Sequence, residues 1–314
     1  MSGLSSIPSL PTGIWAAVLL PISPQGRIDY GALADEIDIL CDSPVDGLYS
    51  NGTAGEFHGQ TDAEFDRITV IVAEGARRAG KPFQIGVSHS NARIARERLA
   101  RLAPTGAAAA QFTLPDWWPP TLSEAERFIE GMQEAAGELP LVLYNPPHAK
   151  KRLSLPEIAR MRERAPGLIG AKLPGGDGEW YAQRRRLLPE FSVFVPGHTV
   201  ATARPLGGDG SYSNMACLSP AGAVAWWRLI ETDRSAAIDL ERRIQRFLAE
   251  HILPYRKSLG LSDAALDKLM AAAGGWGPVS PRLLWPYSSA PDEAVAAVAA
   301  AARSLIPEFG QSAM

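Results

Sequence analysis

Cysteine is scarce: Cys41 and Cys217 are the only two in 314 residues. That is too few for a disulfide framework or a cysteine-based zinc site, and it suits a reducing compartment. Charge of one sign is not in excess, since Lys plus Arg number 31 against Asp plus Glu at 34, giving a net charge of −3 and a pI near 6.0. A nucleic-acid binder or a basic membrane-surface protein is thereby disfavoured. Long apolar runs are missing too. Residues 14–22 form a short one without a basic leader, and the alanine-rich 294–302 follows Asp292 and Glu293. Neither approaches the roughly 20 residues of a membrane span, so a cytoplasmic protein with no membrane partner is expected. With 46% hydrophobic residues against 21% charged, a large core can form and disorder is excluded.

What is present is alternation. Short strand-like runs at 14–20, 45–50, 82–87, 107–113, 140–144, 168–173, 191–195 and 210–216 are separated by segments of helical spacing such as 29–43, 61–80 and 121–137. Thr61 with Glu64 and Thr121 with Glu124 read as capping boxes. Eight such units predict an α/β fold, a (β/α)8 barrel, in which the stretch after the seventh strand, 199–208, is the weakest crossover. From about Ser219 the pattern is helical only (219–233, 235–252, 262–275 and 291–306), which predicts a catalytic barrel over 1–234 and a small C-terminal helical domain over 235–314. The Gly-, Pro- and Ser-rich 274–291 with its two tryptophans reads as a packed loop.

A parallel barrel builds its site at the C-terminal ends of its strands, which singles out few residues. Lys172 lies in an apolar run between Ala171 and Leu173, where a lysine is costly without a task. Burial would disfavour its ammonium and leave an amine able to attack a ketone; the competing reading is a buried lysine paired with a carboxylate. Lys81, Lys150, Lys151, Lys257 and Lys268 stand in polar, turn or helical contexts that read as solvated surface. Tyr144 ends the preceding strand and can pass protons, or simply pack ahead of Asn145, Pro146 and Pro147. The loop Gly52-Thr53-Ala54-Gly55 offers amides and a hydroxyl for a carboxylate, with Glu56 bracing it. Gly207-Gly208-Asp209-Gly210 lacks the spacing of a phosphate-binding loop, and His58, His89, His148, His198 and His251 lack HxH or HExxH spacing, so no nucleotide and no metal is assigned. His148 and His198 follow strands and can face a substrate, while Trp117 and Trp118 either wall the pocket, pack, or meet another subunit.

In combination these motifs resemble the dihydrodipicolinate synthase and N-acetylneuraminate lyase superfamily, over roughly residues 13–235. Residues 52–56 (GTAGE) are similar to its GTTGE loop, 144–147 (YNPP) to YNxP, 170–177 (GAKLPGGD) to GxKxxxGD, and 207–214 (GGDGSYSN) to GxxGxIS. The resemblance implies a (β/α)8 barrel with a C-terminal helical domain, a Schiff base between Lys172 and a 2-keto acid, a proton shuttle at Tyr144 and a carboxylate site at Thr53 with the amide of Ala54. It also implies substrate contacts at Gly52, Gly197, His198, Tyr212 and Trp117, no cofactor beyond the covalent imine, and a homotetramer or homodimer. The implied reaction is aldol cleavage or condensation with pyruvate, or dehydration of a 2-keto-3-deoxy sugar acid. Dihydrodipicolinate synthase activity is the alternative, and a silent keto-acid-binding scaffold is the alternative of another class. Against the synthase pattern, Ala54 stands where its second loop threonine belongs, Trp117 where its intersubunit tyrosine belongs, and Ala149, followed by Lys150 and Lys151, where its arginine belongs.

Overall fold

A computed structural model describes residues 10–310; the ends of the two expected domain ranges, 1–9 and 311–314, lie outside the described residues. Eight parallel strands close in sequence order into one barrel: β1 (Gly13–Ala17), β2 (Gly47–Ser50), β3 (Phe83–Gly86), β4 (Ala109–Phe112), β5 (Leu141–Tyr144), β6 (Leu168–Lys172), β7 (Ser192–Phe194) and β8 (Gly210–Tyr212). Crossover helices follow in turn: α1 (Tyr30–Asp42), α2 (Asp62–Ala79), α3 (Ala92–Ala100), α4 (Leu122–Ala136), α5 (Leu155–Arg164), α6 (Gly178–Leu187) and the short α7 (Val200–Ala203). After β8 come α8 (Asn214–Leu218), α9 (Pro220–Thr232), α10 (Arg234–Phe247), α11 (Leu253–Leu259), α12 (Asp263–Gly274) and α13 (Asp292–Leu305).

The local reasons are those legible in the residues. Thr61 accepts from the Glu64 amide while the Glu64 carboxylate accepts from the Thr61 amide, and Thr121 with Glu124 does the same; each pair satisfies two donors a helix start leaves open. Strands present one face to the barrel interior and one to the helices. Trp15, Tyr49, Ala109, Val142, Phe194 and Tyr212, from six strands, make one interior cluster, while residues such as Ile14, Leu48 and Leu143 join the larger core.

Two expectations are corrected. The eighth strand does not run to residue 216: it stops at Tyr212 because the Ser213 hydroxyl accepts from the Ala216 amide and starts α8. The helix expected over 235–252 is interrupted by a π-turn at Leu248–Ile252 before α11. Pro254 at the start of α11 has no N–H to continue the ladder, which favours the wider turn. The loop over 274–291 is packed as expected, with Leu283 and Leu284 buried and the Trp276 indole donating to Cys217 O at 2.7 Å. No helix among the described residues is long and apolar enough to cross a membrane.

Candidate active site

Lys172 and Tyr144 are register partners at the ends of β6 and β5, so both side chains leave the same face of the sheet. Lys172 Nζ lies 4.6 Å from the Tyr144 ring centroid and 6.0 Å from that of Tyr212. Asn145 holds the chain just beyond: its side chain donates to Leu153 O at 2.9 Å and accepts from Leu153 N at 3.0 Å, and its amide donates to Lys172 O. The expected pairing of amine and phenol is thus a consequence of strand register, braced by one side-chain amide.

Facing them is the loop after β2. Asn51 and Glu56 bracket it with φ of 53° and 54°, left-handed conformations that cost energy in residues other than glycine and are retained where the surroundings enforce them. Gln60 supplies that enforcement, donating to Gly55 O at 2.7 Å and to Asn51 Oδ1 at 3.2 Å. Gly52 is required by close approach, since a Cβ there would lie 2.5 Å from the Tyr49 hydroxyl. Thr53 and Ala54 line the cavity beside Lys172, and among the described residues their amides donate to no protein acceptor. The loop therefore presents a hydroxyl and open N–H groups to an anion, the arrangement a carboxylate needs.

Glu56 braces this loop from behind. One carboxylate oxygen pairs with Lys268 of α12 and the other accepts from Leu284 N at 2.7 Å. Lys268 also donates to Arg282 O at 2.6 Å. This corrects the reading of Lys268 as a surface residue: it is the fully buried lysine of the chain, whereas Lys172 is half-buried and opens into the cavity. Burial pulls the Lys268 ammonium down, and the Glu56 carboxylate opposes that.

The cavity, about 250 Å³, is completed by Tyr49, His148, His198, Tyr212 and Asn214 from the barrel rim and by Asp263 and Asp267 from α12. Burial drives the Tyr49 and Tyr212 phenols above their ordinary range, and Tyr212 donates to Gln84 at 2.6 Å. His198 is held below its usual range by burial, its ring 3.4 Å from Asn214 Oδ1. Burial likewise pushes the Asp267 carboxyl up to about 7, against the pull of Lys172 and Arg256. Gly197 is buried directly behind His198, where a Cβ would strike the Ser213 hydroxyl at 2.4 Å, and Gly52 shapes the loop without lining the cavity. Trp117 is the departure. It is 82% exposed and lines a neighbouring cavity with His58, His89 and Lys150, because Lys150 donates to its carbonyl and Asp116 accepts from the Lys150 amide. Within one chain it does not reach Lys172. Sequence reasoning passed over Tyr49, Gln84, Asp263 and Asp267; of these, only Tyr49 near a strand end carried a positional signal.

Comparison with known proteins gives a consistent picture. The sequence profile described as "Dihydrodipicolinate synthetase family" matches residues 10–261. A 4-hydroxy-tetrahydrodipicolinate synthase of Acidovorax sp. (strain JS42) is 30% identical over 257 residues, 80% of this chain and 83% of that protein. An N-acetylneuraminate lyase of Salmonella paratyphi B is 28% identical over 243 residues, 73% of this chain and 80% of that one. Among solved structures, a prophage protein of the dihydrodipicolinic acid synthase family from E. coli K12, in complex with pyruvate, superposes with a TM-score of 0.81 at 22% identity, covering 94% of this chain and 98% of that one.

Proposed function

The chain belongs to the dihydrodipicolinate synthetase family, and from that premise we propose that Lys172 is the amine through which it works as a Schiff-base-forming lyase on a 2-keto acid. One observation carries the assignment: Lys172 and Tyr144 leave adjacent strands in register into a cavity whose opposite wall is the Thr53–Ala54 loop. A 2-keto acid fits that spacing of functions. Thr53 and the amide of Ala54 receive the C1 carboxylate, which places C2 at the Lys172 amine. Nitrogen bonds to C2 as the carbonyl electron pair moves to oxygen, Tyr144 relays a proton from nitrogen to that oxygen, a second proton from solvent makes it water, and the water leaves to give the iminium.

The iminium is the electron sink, so no separate cofactor is assigned a step. In a cleavage a base takes the C4 hydroxyl proton, C4 leaves as an aldehyde as the C3–C4 bond breaks, and the bond's electrons flow through C2 to nitrogen, giving an enamine that is then protonated at C3 to regenerate the imine. In a dehydration a C3 proton is lost and hydroxide leaves C4. Hydrolysis of the imine returns Lys172 in either case. Condensation of the kind the synthase relatives are named for is the second reading, favoured by those relatives; against it, no arginine lines the cavity among the described residues. Trp117 and Trp118, 82% and 81% exposed on one loop, support a homo-oligomer, a homodimer or homotetramer.

The test is intact-mass measurement after borohydride reduction with pyruvate, on wild type and Lys172→Ala. A pyruvate adduct mapping to Lys172 and missing from the variant is expected. No adduct with any 2-keto acid would overturn the mechanism and favour a binding scaffold.

A further inference from the structure

The cavity has one wall that the barrel does not supply. Asp263 and Asp267 come from α12, beyond the segment the family profile matches. Asp267 is half-buried and lines the same cavity as Lys172, yet among the described residues its carboxyl makes no hydrogen bond or ion pair. Its position is nonetheless fixed, because the next residue, Lys268, ties α12 to Glu56 and to Arg282 O. A rigidly placed carboxyl with free hydrogen-bonding capacity faces whatever occupies the cavity beyond C2.

The Schiff-base reading, on which this inference rests, commits the Thr53–Ala54 loop to the C1 carboxylate and Lys172 to C2. The distal carbons are then left to His198, Ser213, Asn214 and the α12 wall. We propose that Asp267 is a specificity-determining residue, selecting 2-keto acids whose distal carbons carry hydroxyl groups over those that end in a second carboxylate. A hydroxyl is both donor and acceptor, so it pairs with a carboxyl in either protonation state. A terminal carboxylate, which only accepts, finds a donor there only when Asp267 is protonated, and meets like charge when it is ionised. Asp263, one turn earlier on α12 and exposed at the cavity mouth, is paired with Arg256, which leaves Asp267 as the unpaired carboxyl on that side among the described residues. Lining arginines are absent among the described residues, and an imine on Lys172 is already used by the substrate's own C2. Discrimination of this kind comes from a repulsive element as much as from an attractive one.

The experiment compares two six-carbon 2-keto-3-deoxy acids that differ only at C6, one ending in CH2OH and the other in a carboxylate, at pH 8, on the basic side of the value of about 7 to which burial raises the Asp267 carboxyl. The concentration giving half-maximal borohydride trapping on Lys172 is read for wild type, Asp267→Asn and Asp267→Ser, with pyruvate, too short to have a distal chain, as reference. Wild type should favour the hydroxyl-terminated acid by roughly tenfold or more, and both variants should narrow that ratio to within about threefold, chiefly through tighter capture of the diacid. Because each ratio compares two ligands on one protein, a general loss of fold cancels. A wild type that prefers the diacid, or variants that leave the ratio unchanged, overturns the role of Asp267. Absence of a pyruvate adduct on wild-type Lys172 overturns the Schiff-base reading instead.

Discussion

Lys268 and Glu56 form an ion pair with side chains 0% and 1% exposed, joining a C-terminal helix to the underside of the loop that faces Lys172. A second acid, Glu36, stands near the same ammonium: one oxygen accepts from Leu19 N at 2.7 Å, and burial pushes its carboxyl up to about 8. The charges then balance, with Lys268 against Glu56 and Glu36 held neutral.

Breaking this pair from one side should be costly. Lys268→Met leaves the Glu56 carboxylate buried without its cation, and a loss of about 3–5 kcal/mol in urea unfolding is expected. Adding Glu56→Gln should recover much of that loss. A single variant as stable as wild type would show that the pair does not bind α12 to the loop.

The neutral Glu36 makes stability depend on pH with a defined sign. A carboxyl whose folded-state value is raised binds its proton more tightly in the folded protein, so its contribution is full below the unfolded value near 4.5 and is lost as pH rises through about 8. Glu36→Gln removes the titration while keeping an acceptor for Leu19 N. Relative to wild type, the variant should therefore gain stability from pH 5 to pH 8.5, by up to about 1.4 kcal/mol per pH unit across the window. Parallel stability curves for the two proteins would refute it.

Tyr144→Phe keeps the ring beside Lys172 and removes the hydroxyl. The rate of imine trapping with pyruvate should fall by roughly 10²–10⁴-fold, with the melting temperature little changed. An unaltered rate would move the proton relay to another group.

At Gly52 the expected change is in binding. Gly52→Ala puts a methyl 2.3–2.6 Å from the Tyr49 ring and hydroxyl, so Tyr49 or the loop must move. The half-saturating pyruvate concentration should rise by about tenfold, more than the limiting trapping rate falls. Equal losses in both would point to a disturbed Lys172 rather than a displaced carboxylate loop.

Much of the geometry was readable in the residues because a parallel barrel gathers the ends of its strands at one rim. Lys172, Tyr144 and Thr53 each stand at or just past the end of an apolar run, and closure of β1 to β8 brings such ends together. Lys268 and Asp267 were not readable. On α12 the buried Ala264, Ala265, Leu266, Leu269 and Met270 mark a packing helix, but the pattern cannot state what it packs against, and a lysine beside them looks solvated until Glu56 arrives from the barrel. For Trp117 the place after β4 leaves pocket wall, packing and subunit contact all open, and within one chain the Lys150 and Asp116 contacts set that loop beside a different cavity.

The hydrogen bond from Leu284 to Glu56 spans 228 residues of chain, and its consequence is one of timing during synthesis. A ribosome finishes Lys172, Tyr144 and all eight strands well before it reaches α12 and the segment behind it. The nascent barrel holds Lys172 early, but the Thr53–Ala54 loop gains its brace only when α12 and the segment carrying Leu284 have emerged. Order in the Thr53–Ala54 loop is thereby coupled to synthesis of α12 and the segment behind it, and a product shortened ahead of α12 carries Lys172 opposite an unbraced loop.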